Sequence, residues 1–206
     1  MDQKQIISTI NTLLNKDYRE VLNSTKRKYI TVGYLARKLD RPKSSIQSSR
    51  QHLRKLGFLK RETYTRLLKK AQINYSPNTS LELVLSKKQG EETYKPDLSE
   101  IRKKENGHRR MMYLQVFHIL RIPTTEKDLR HILEIDNSAS VRYTRKLIDT
   151  GLVRRLGKPR DRVKKPKYVS TIKSFSIEYI VGNPELEITT KPRATKTKKQ
   201  NILKLF

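Results

Sequence analysis

Residues 29–61 and 123–155 carry one pattern twice. Laid over each other without a gap, at an offset of 94 residues, Thr31, Leu35, Leu39, Ser44, Leu53, Gly57 and Arg61 fall on Thr125, Leu129, Leu133, Ser138, Leu147, Gly151 and Arg155. Phe58-Leu59-Lys60 falls on Leu152-Val153-Arg154, alike in kind. Self-similarity at a fixed offset implies repeated copies of one structural unit. A chain of 206 residues has room for two small domains. Whatever one copy folds into therefore accounts for most of the chain.

Each copy reads as helix, helix, helix, hairpin. In the first, Ile6, Ile7, Ile10, Leu13, Leu14, Val21 and Leu22 recur at helical spacing; in the second, Tyr113, Val116, Phe117 and Leu120 do so. Thr31 and Thr125 then precede short second helices, Tyr34 to Leu39 and Lys127 to Leu133. A threonine hydroxyl there can accept an otherwise unpaired backbone N–H. After the polar turns Asp40-Arg41-Pro42-Lys43 and Asp136-Asn137, third helices are expected from Ser44 to Leu56 and from Ser138 to Thr150. Gly57 and Gly151 end them in left-handed caps. A hairpin follows each glycine. In copy two its tip is 158–167 and its return strand 168–172; in copy one the strands are expected at 58–67 and 80–85, with a turn at 74–79.

The pattern L-x-x-x-G-[FL]-[LV]-[KR]-R resembles the recognition-helix end and first wing strand of MarR-like and replication-initiator winged helices. The resemblance covers about 60–80 residues per copy. It implies an α+β, mainly α fold: two winged helix-turn-helix domains in tandem, residues 1–87 and 111–184. Residues 88–110 read as a charged linker with a short helix from Leu98 to Lys104. Residues 185–206 read as a flexible tail. From 191 onward that tail holds six Lys/Arg, no acid and Pro192, too little apolar surface to order itself.

Charge identifies the partner class. Lys+Arg 47 against Asp+Glu 20 gives a formal net charge of +27, which favours polyanions, nucleic acid foremost. A ribosomal or membrane-surface protein would share that charge. No apolar run approaches the roughly 18 residues that span a bilayer, and the N-terminus lacks signal-peptide order. With no cysteine, neither disulfides nor thiolate metal sites are available. A cytoplasmic, nucleoid-associated protein is expected, or a nuclear one in a eukaryote. Paired aromatics of an RNA-reading sheet are missing.

The candidate DNA-reading face of the first third helix is Lys43, Ser44, Ser45, Gln47, Ser48, Arg50, Gln51 and Arg54. In copy two it is Ser138, Ser140, Arg142, Tyr143, Arg145 and Lys146, with Asn137 at its start. Arginine pairs bidentately with guanine and glutamine with adenine, while serine donates to phosphate. The copy-two wing adds Lys158, Arg160, Arg162, Lys164 and Lys165, residues suited to phosphates or a narrow minor groove. Copy one has a less basic wing, with Tyr64, Arg66, Lys69 and Lys70. Two linked domains act as a covalent pseudo-dimer, and their different faces imply an asymmetric operator; higher oligomers on DNA stay open.

The chain closes on Gln200-Asn201-Ile202-Leu203-Lys204-Leu205-Phe206. The spacing Q-x-x-h-x-x-F resembles the peptide box that docks replication and repair proteins on the PCNA sliding clamp. Leu203-Lys204-Leu205-Phe206 resembles the shorter peptide of bacterial clamp binders. The resemblance implies clamp contacts by Gln200, Leu203, Leu205 and Phe206. One aromatic stands where the fuller box has two, and Ile202 stands where the bacterial form has glutamine. A hook folding onto the chain's own core is the other reading of this segment.

No catalytic constellation emerges. His52, His108, His118 and His131 are scattered, no H-E-x-x-H or G-x-x-x-x-G-K-[ST] occurs, and acids are too sparse to hold Mg²⁺. No cofactor or metal is expected. The expectation is a non-enzymatic double-stranded DNA-binding protein tethered to a clamp in replication or repair. A transcription regulator, of a mobile element or virus, is the alternative.

Overall fold

The computed structural model describes residues 1–25, 30–60, 66–76, 80–98, 109–157, 166–183 and 185–193. Among them are seven helices: α1 Gln3–Leu14, α2 Lys16–Ser24, α3 Val32–Lys38, α4 Lys43–Lys55, α5 Arg109–Ile119, α6 Glu126–Leu133 and α7 Asn137–Asp149. The strands are β1 Leu68–Ser76, β2 Ser80–Lys87, β3 Gly90–Tyr94, β4 Thr124–Thr125, β5 Val153–Leu156, β6 Lys167–Ser170, β7 Ile172–Ile180 and β8 Glu187–Pro192. They form two sheets, of order β3-β2-β1-β7-β8 and β4-β6-β5. The protein is thus mixed α/β.

The 94-residue repeat survives at the level of single hydrogen bonds. Thr31 caps α3 by accepting from the Tyr34 N–H, and Thr125 caps α6 by accepting from the Asp128 N–H. Both helices end at a left-handed residue, Asp40 (φ 49°) and Glu134 (φ 52°). The next N–H then reaches back five residues, from Arg41 to the Ala36 carbonyl (2.9 Å) and from Ile135 to the Arg130 carbonyl (3.2 Å). Helices α4 and α7 are each 13 residues long and match end for end. Both stop at a glycine in the left-handed region, Gly57 (φ 72°) and Gly151 (φ 75°), where a side chain would be strained. Past each glycine, Phe58 N–H donates to the Leu53 carbonyl and Leu152 N–H to the Leu147 carbonyl, both at 2.9 Å.

The chain divides into two compact units that are not collinear with the sequence: 1–73, 82–96 and 177–187 in the first, 74–81, 97–176 and 188–206 in the second. This differs from the expected division at 87 and 111. The first unit packs Ile10, Leu14, Leu22, Leu35, Ile46, Leu53 and Phe58 into a core excluded from water. Its opening helix breaks at Asn15, whose extended backbone ends α1 and whose side chain caps α2 through the Asp17 N–H. The Asn23 amide ties α2 to the residues after β7. Its Oδ1 accepts from the Tyr179 hydroxyl (2.6 Å) and the Gly182 N–H (2.9 Å), and its Nδ2 donates to the Asn183 carbonyl (3.2 Å). Burial of that Tyr179 hydroxyl raises its pKa far above the ordinary tyrosine value.

The second unit buries Met111, Val116, Leu120, Leu129, Leu147, Leu152 and Val153. Tyr75 packs there with Phe117, His118 and Phe175, ring centroids 5.2–5.8 Å apart, and its hydroxyl lies 3.1 Å from His118 Nδ1. In the small sheet β4 leads into α6, and β5 and β6 follow α7 as an antiparallel pair matching Val153 with Ser170 and Leu156 with Lys167.

Three expectations are corrected. The copy-one wing is not the pair 58–67 and 80–85. Instead Leu59 bridges Arg66 antiparallel, and Leu67 N–H donates to the Phe58 carbonyl. Strands β1 and β2, with alternate residues buried, belong to the five-stranded sheet. Residues 90–94 of the expected linker form β3, paired antiparallel to β2 from Leu83↔Tyr94 to Lys87↔Gly90. Residues 187–192 of the expected tail form β8, and Arg193 bonds back through its backbone to Thr171 and through its guanidinium to the Arg121 carbonyl. The expected linker helix falls mostly within 99–108, outside the described residues, as does Tyr64.

Candidate nucleic-acid interface

In the first unit, α3 and α4 are joined by only four residues. The turn is held from behind by Arg41, whose guanidinium donates to Asp17 Oδ1 (2.7 Å) and Glu20 Oε2 (2.6 Å) on α2. Pro42 stands at the start of α4 and offers no side-chain cap, so the first-turn amides of α4 are not closed by a side chain as those of α7 are by Asp136. Such amides carry the positive end of the helix dipole. A cleft lined by Gly33, Ala36, Arg37 and Lys43 opens beside them.

Side-chain exposure sorts the predicted reading residues. On α4, Lys43, Ser44, Ser45, Gln47, Ser48 and Gln51 face solvent, and Arg54 is half-buried. Arg50 is not on that face. It lies one turn from Ile46 and three residues before Leu53, on the core stripe, and is only 3% exposed. On α7, Ser138, Arg142, Arg145 and Lys146 face solvent, with Asn137 at the helix start. Ser140 (0% exposed) and Tyr143 (7%) are buried, because with Leu147 they form the inward stripe.

Tyr143 therefore acts from beneath. Its ring packs edge-on to Tyr113 (5.1 Å between centroids), and the Arg142 guanidinium sits over it at 5.2 Å. A cation held over a ring loses part of its rotamer freedom before it meets a ligand. His52 plays a comparable inner role on α4. Its Nε2 lies 2.7 Å from the Thr12 hydroxyl, and its ring packs 4.8 Å from that of Tyr18. Burial, then the Lys55 ammonium, lowers its pKa below the usual histidine value.

The faces are poor in acid. The exposed α4 residues include no carboxylate, and α7 has Asp149 at its last turn. Arg154, Arg155 and Lys167 are exposed along the β5–β6 hairpin, with Arg155 paired to Tyr168 in register. The wing residues Lys158, Arg160, Arg162, Lys164 and Lys165, and the terminal Gln200, Leu203, Leu205 and Phe206, lie outside the described residues.

Sequence reasoning passed over Tyr34 on α3 and Val141 on α7, both exposed. Their signal was present: each is an apolar or aromatic residue out of phase with its helix's core stripe. Among the described residues no group of three or more His, Asp or Glu is placed to hold a metal ion, and no helix is long and apolar enough to cross a membrane. No protein-family model, curated protein or solved structure matches the chain.

Proposed function

We propose that this is a non-enzymatic double-stranded DNA-binding protein built on two winged helix-turn-helix modules, α3–α4 and α6–α7 being the helix-turn-helix pairs. The observation that carries the reading is the doubled geometry. In the two pairs the first helix has the same threonine cap and is followed by a left-handed residue at the same position, and the second helix ends at the same glycine. Each pair presents a second helix whose outer face is mostly polar or cationic and nearly free of acid. A helix of this kind fits the major groove and reads base edges from its N-terminal turns. Gln47 and Gln51 suit adenine, Arg142 and Arg145 suit guanine, and Lys43, Lys146, Arg154 and Arg155 suit phosphates. The two faces differ, so the operator is asymmetric, with unlike half-sites.

The terminal Q-x-x-h-x-x-F peptide extends the reading to a tether on a sliding clamp, which places the protein beside the replication or repair machinery. Two experiments test these readings. Electrophoretic titration of duplex DNA with Gln47→Ala plus Gln51→Ala, and with Arg142→Ala plus Arg145→Ala, should weaken specific binding by about 1–3 kcal/mol per lost base contact while leaving the fold intact. Unchanged binding in both variants removes α4 and α7 as reading helices. A nuclease-treated pull-down compares the full chain with one lacking 200–206. Clamp recovered only by the full chain supports the tether; clamp recovered by neither makes a transcription regulator the better reading.

A further inference from the structure

Val141 is 40% exposed in the middle of α7. Solvent exposure gives a valine no packing, and β-branched residues are mediocre helix formers, so neither core nor propensity accounts for it there. Exposed apolar residues are common on protein surfaces, and Ile148, two turns later, is a second one on α7 (38% exposed); Val141 is the one placed in the N-terminal half of the helix, among Ser138, Arg142 and Arg145. At about 100° per residue, Ser138, Arg142 and Arg145 span the outward arc of α7, and Val141 lies within about 60° of Ser138 and one turn before Arg145. All three neighbours are exposed. In the repeat the same site is Gln47 on α4, also exposed and also between outward serines and Gln51. The copy-one helix thus places a hydrogen-bonding amide where the copy-two helix places two methyl groups.

The major groove offers one apolar landmark, the C5 methyl of a pyrimidine, and small apolar side chains read it by contact. We propose that Val141 is a specificity-determining residue that packs on a pyrimidine C5 methyl, of thymine or of 5-methylcytosine, while Arg142 and Arg145 engage neighbouring base edges. The cationic surround supplies the complementarity to an anionic duplex that an apolar protein partner would not need. The proposal rests on the DNA-binding reading given above and assigns one helix of it a distinct chemistry. Copy two discriminates by a methyl group; copy one discriminates by hydrogen bonds.

The test starts from the best duplex that the full-length protein selects out of a randomised library. Each thymine in it is replaced singly by deoxyuridine, and each cytosine by 5-methylcytosine, at fixed salt. The expected result is one position where removing or adding the methyl changes Kd about fourfold, the worth of one buried methyl. In Val141→Ala that ratio should collapse toward one, and in Val141→Thr, which keeps a methyl, it should largely persist. A thymine-to-deoxyuridine effect identifies thymine as the source, and an effect only at 5-methylcytosine identifies the modified base. A selected duplex with no Val141-dependent methyl effect overturns this inference alone. Failure to enrich any sequence overturns it together with sequence-specific binding. Thermal unfolding of both variants, expected within a degree or two of the parent for an exposed site, separates folding from recognition.

Discussion

Gly57 and Gly151 stand at the same place in the two copies, each closing the helix that carries a candidate reading face, and each with φ above +70°. Replacing either with alanine forces an L side chain into the left-handed region, at about 1–2 kcal/mol. A Cβ built on Gly57 meets nothing within 4 Å, so no clash is added. Alanine also restricts the unfolded chain, which offsets about 0.4–1 kcal/mol. The net loss for Gly57→Ala is therefore centred on about 0.8 kcal/mol, and Gly151→Ala, at φ 75°, should lose a similar amount. With a urea dependence of about 2 kcal/mol per molar, the unfolding midpoint should fall by about 0.4 M, read by far-UV circular dichroism. Gly57→Asn should lose less, because asparagine tolerates this conformation. An unchanged or raised midpoint in Gly57→Ala would refute a left-handed helix cap, and a loss above about 3 kcal/mol would show that packing, not backbone conformation, governs the position.

Arg50→Ala and Gln51→Ala separate core from interface: the first empties a buried site and should cost about 2–4 kcal/mol of stability, whereas the second should stay within about 0.5 kcal/mol yet weaken DNA binding. Equal thermal unfolding of the two variants would contradict the placement of Arg50. The logarithm of affinity against the logarithm of salt should slope by about −5 to −9 if some 6–10 phosphates are contacted. Deleting 158–167 should make that slope shallower, and an unchanged slope removes the wing as a phosphate contact. Stability should also fall in mild acid. Folded His52 and His118 both have pKa values lowered by burial, so the unfolded chain binds more protons once the pH drops below the ordinary histidine value of about 6.5. The stability is fully present above that pH and is lost as pH falls through the folded values. Scanning from pH 7.5 to 5.5 should lower Tm in the parent and by less in His52→Gln; identical drops would rule His52 out.

Much of this was legible in the residues. The offset that aligns Gly57 with Gly151 aligns the threonine caps of α3 and α6, the turns and the helix ends too, because local hydrogen bonding follows the positions of Thr and Gly directly. The buried Arg50, Ser140 and Tyr143 were legible as well, by spacing: each lies on the stripe of its helix's leucines, and polarity of residue type outweighed periodicity in reading them. What local pattern could not show was strand partnership. β1 and β2 pair and alternate as any hairpin does, but the other neighbour of β1 is β7, about a hundred residues later. β3 and β8 are short, polar strands whose order comes from paired backbone, which composition does not register.

The Asn23 amide also bears on how the chain is made. Its partners Tyr179, Gly182 and Asn183 are translated about 156–160 residues after it, and the first unit draws on 177–187 for completion. A nascent chain cannot finish this N-terminal unit while the ribosome is still synthesising the middle of the protein. Contacts so distant in sequence carry a large loop-closure cost and slow folding. Helices α1–α4 must therefore wait, with part of their apolar surface uncovered, until residues 177–187 have been made. Truncation anywhere before residue 183 would damage helices α1–α4 as much as the segment removed.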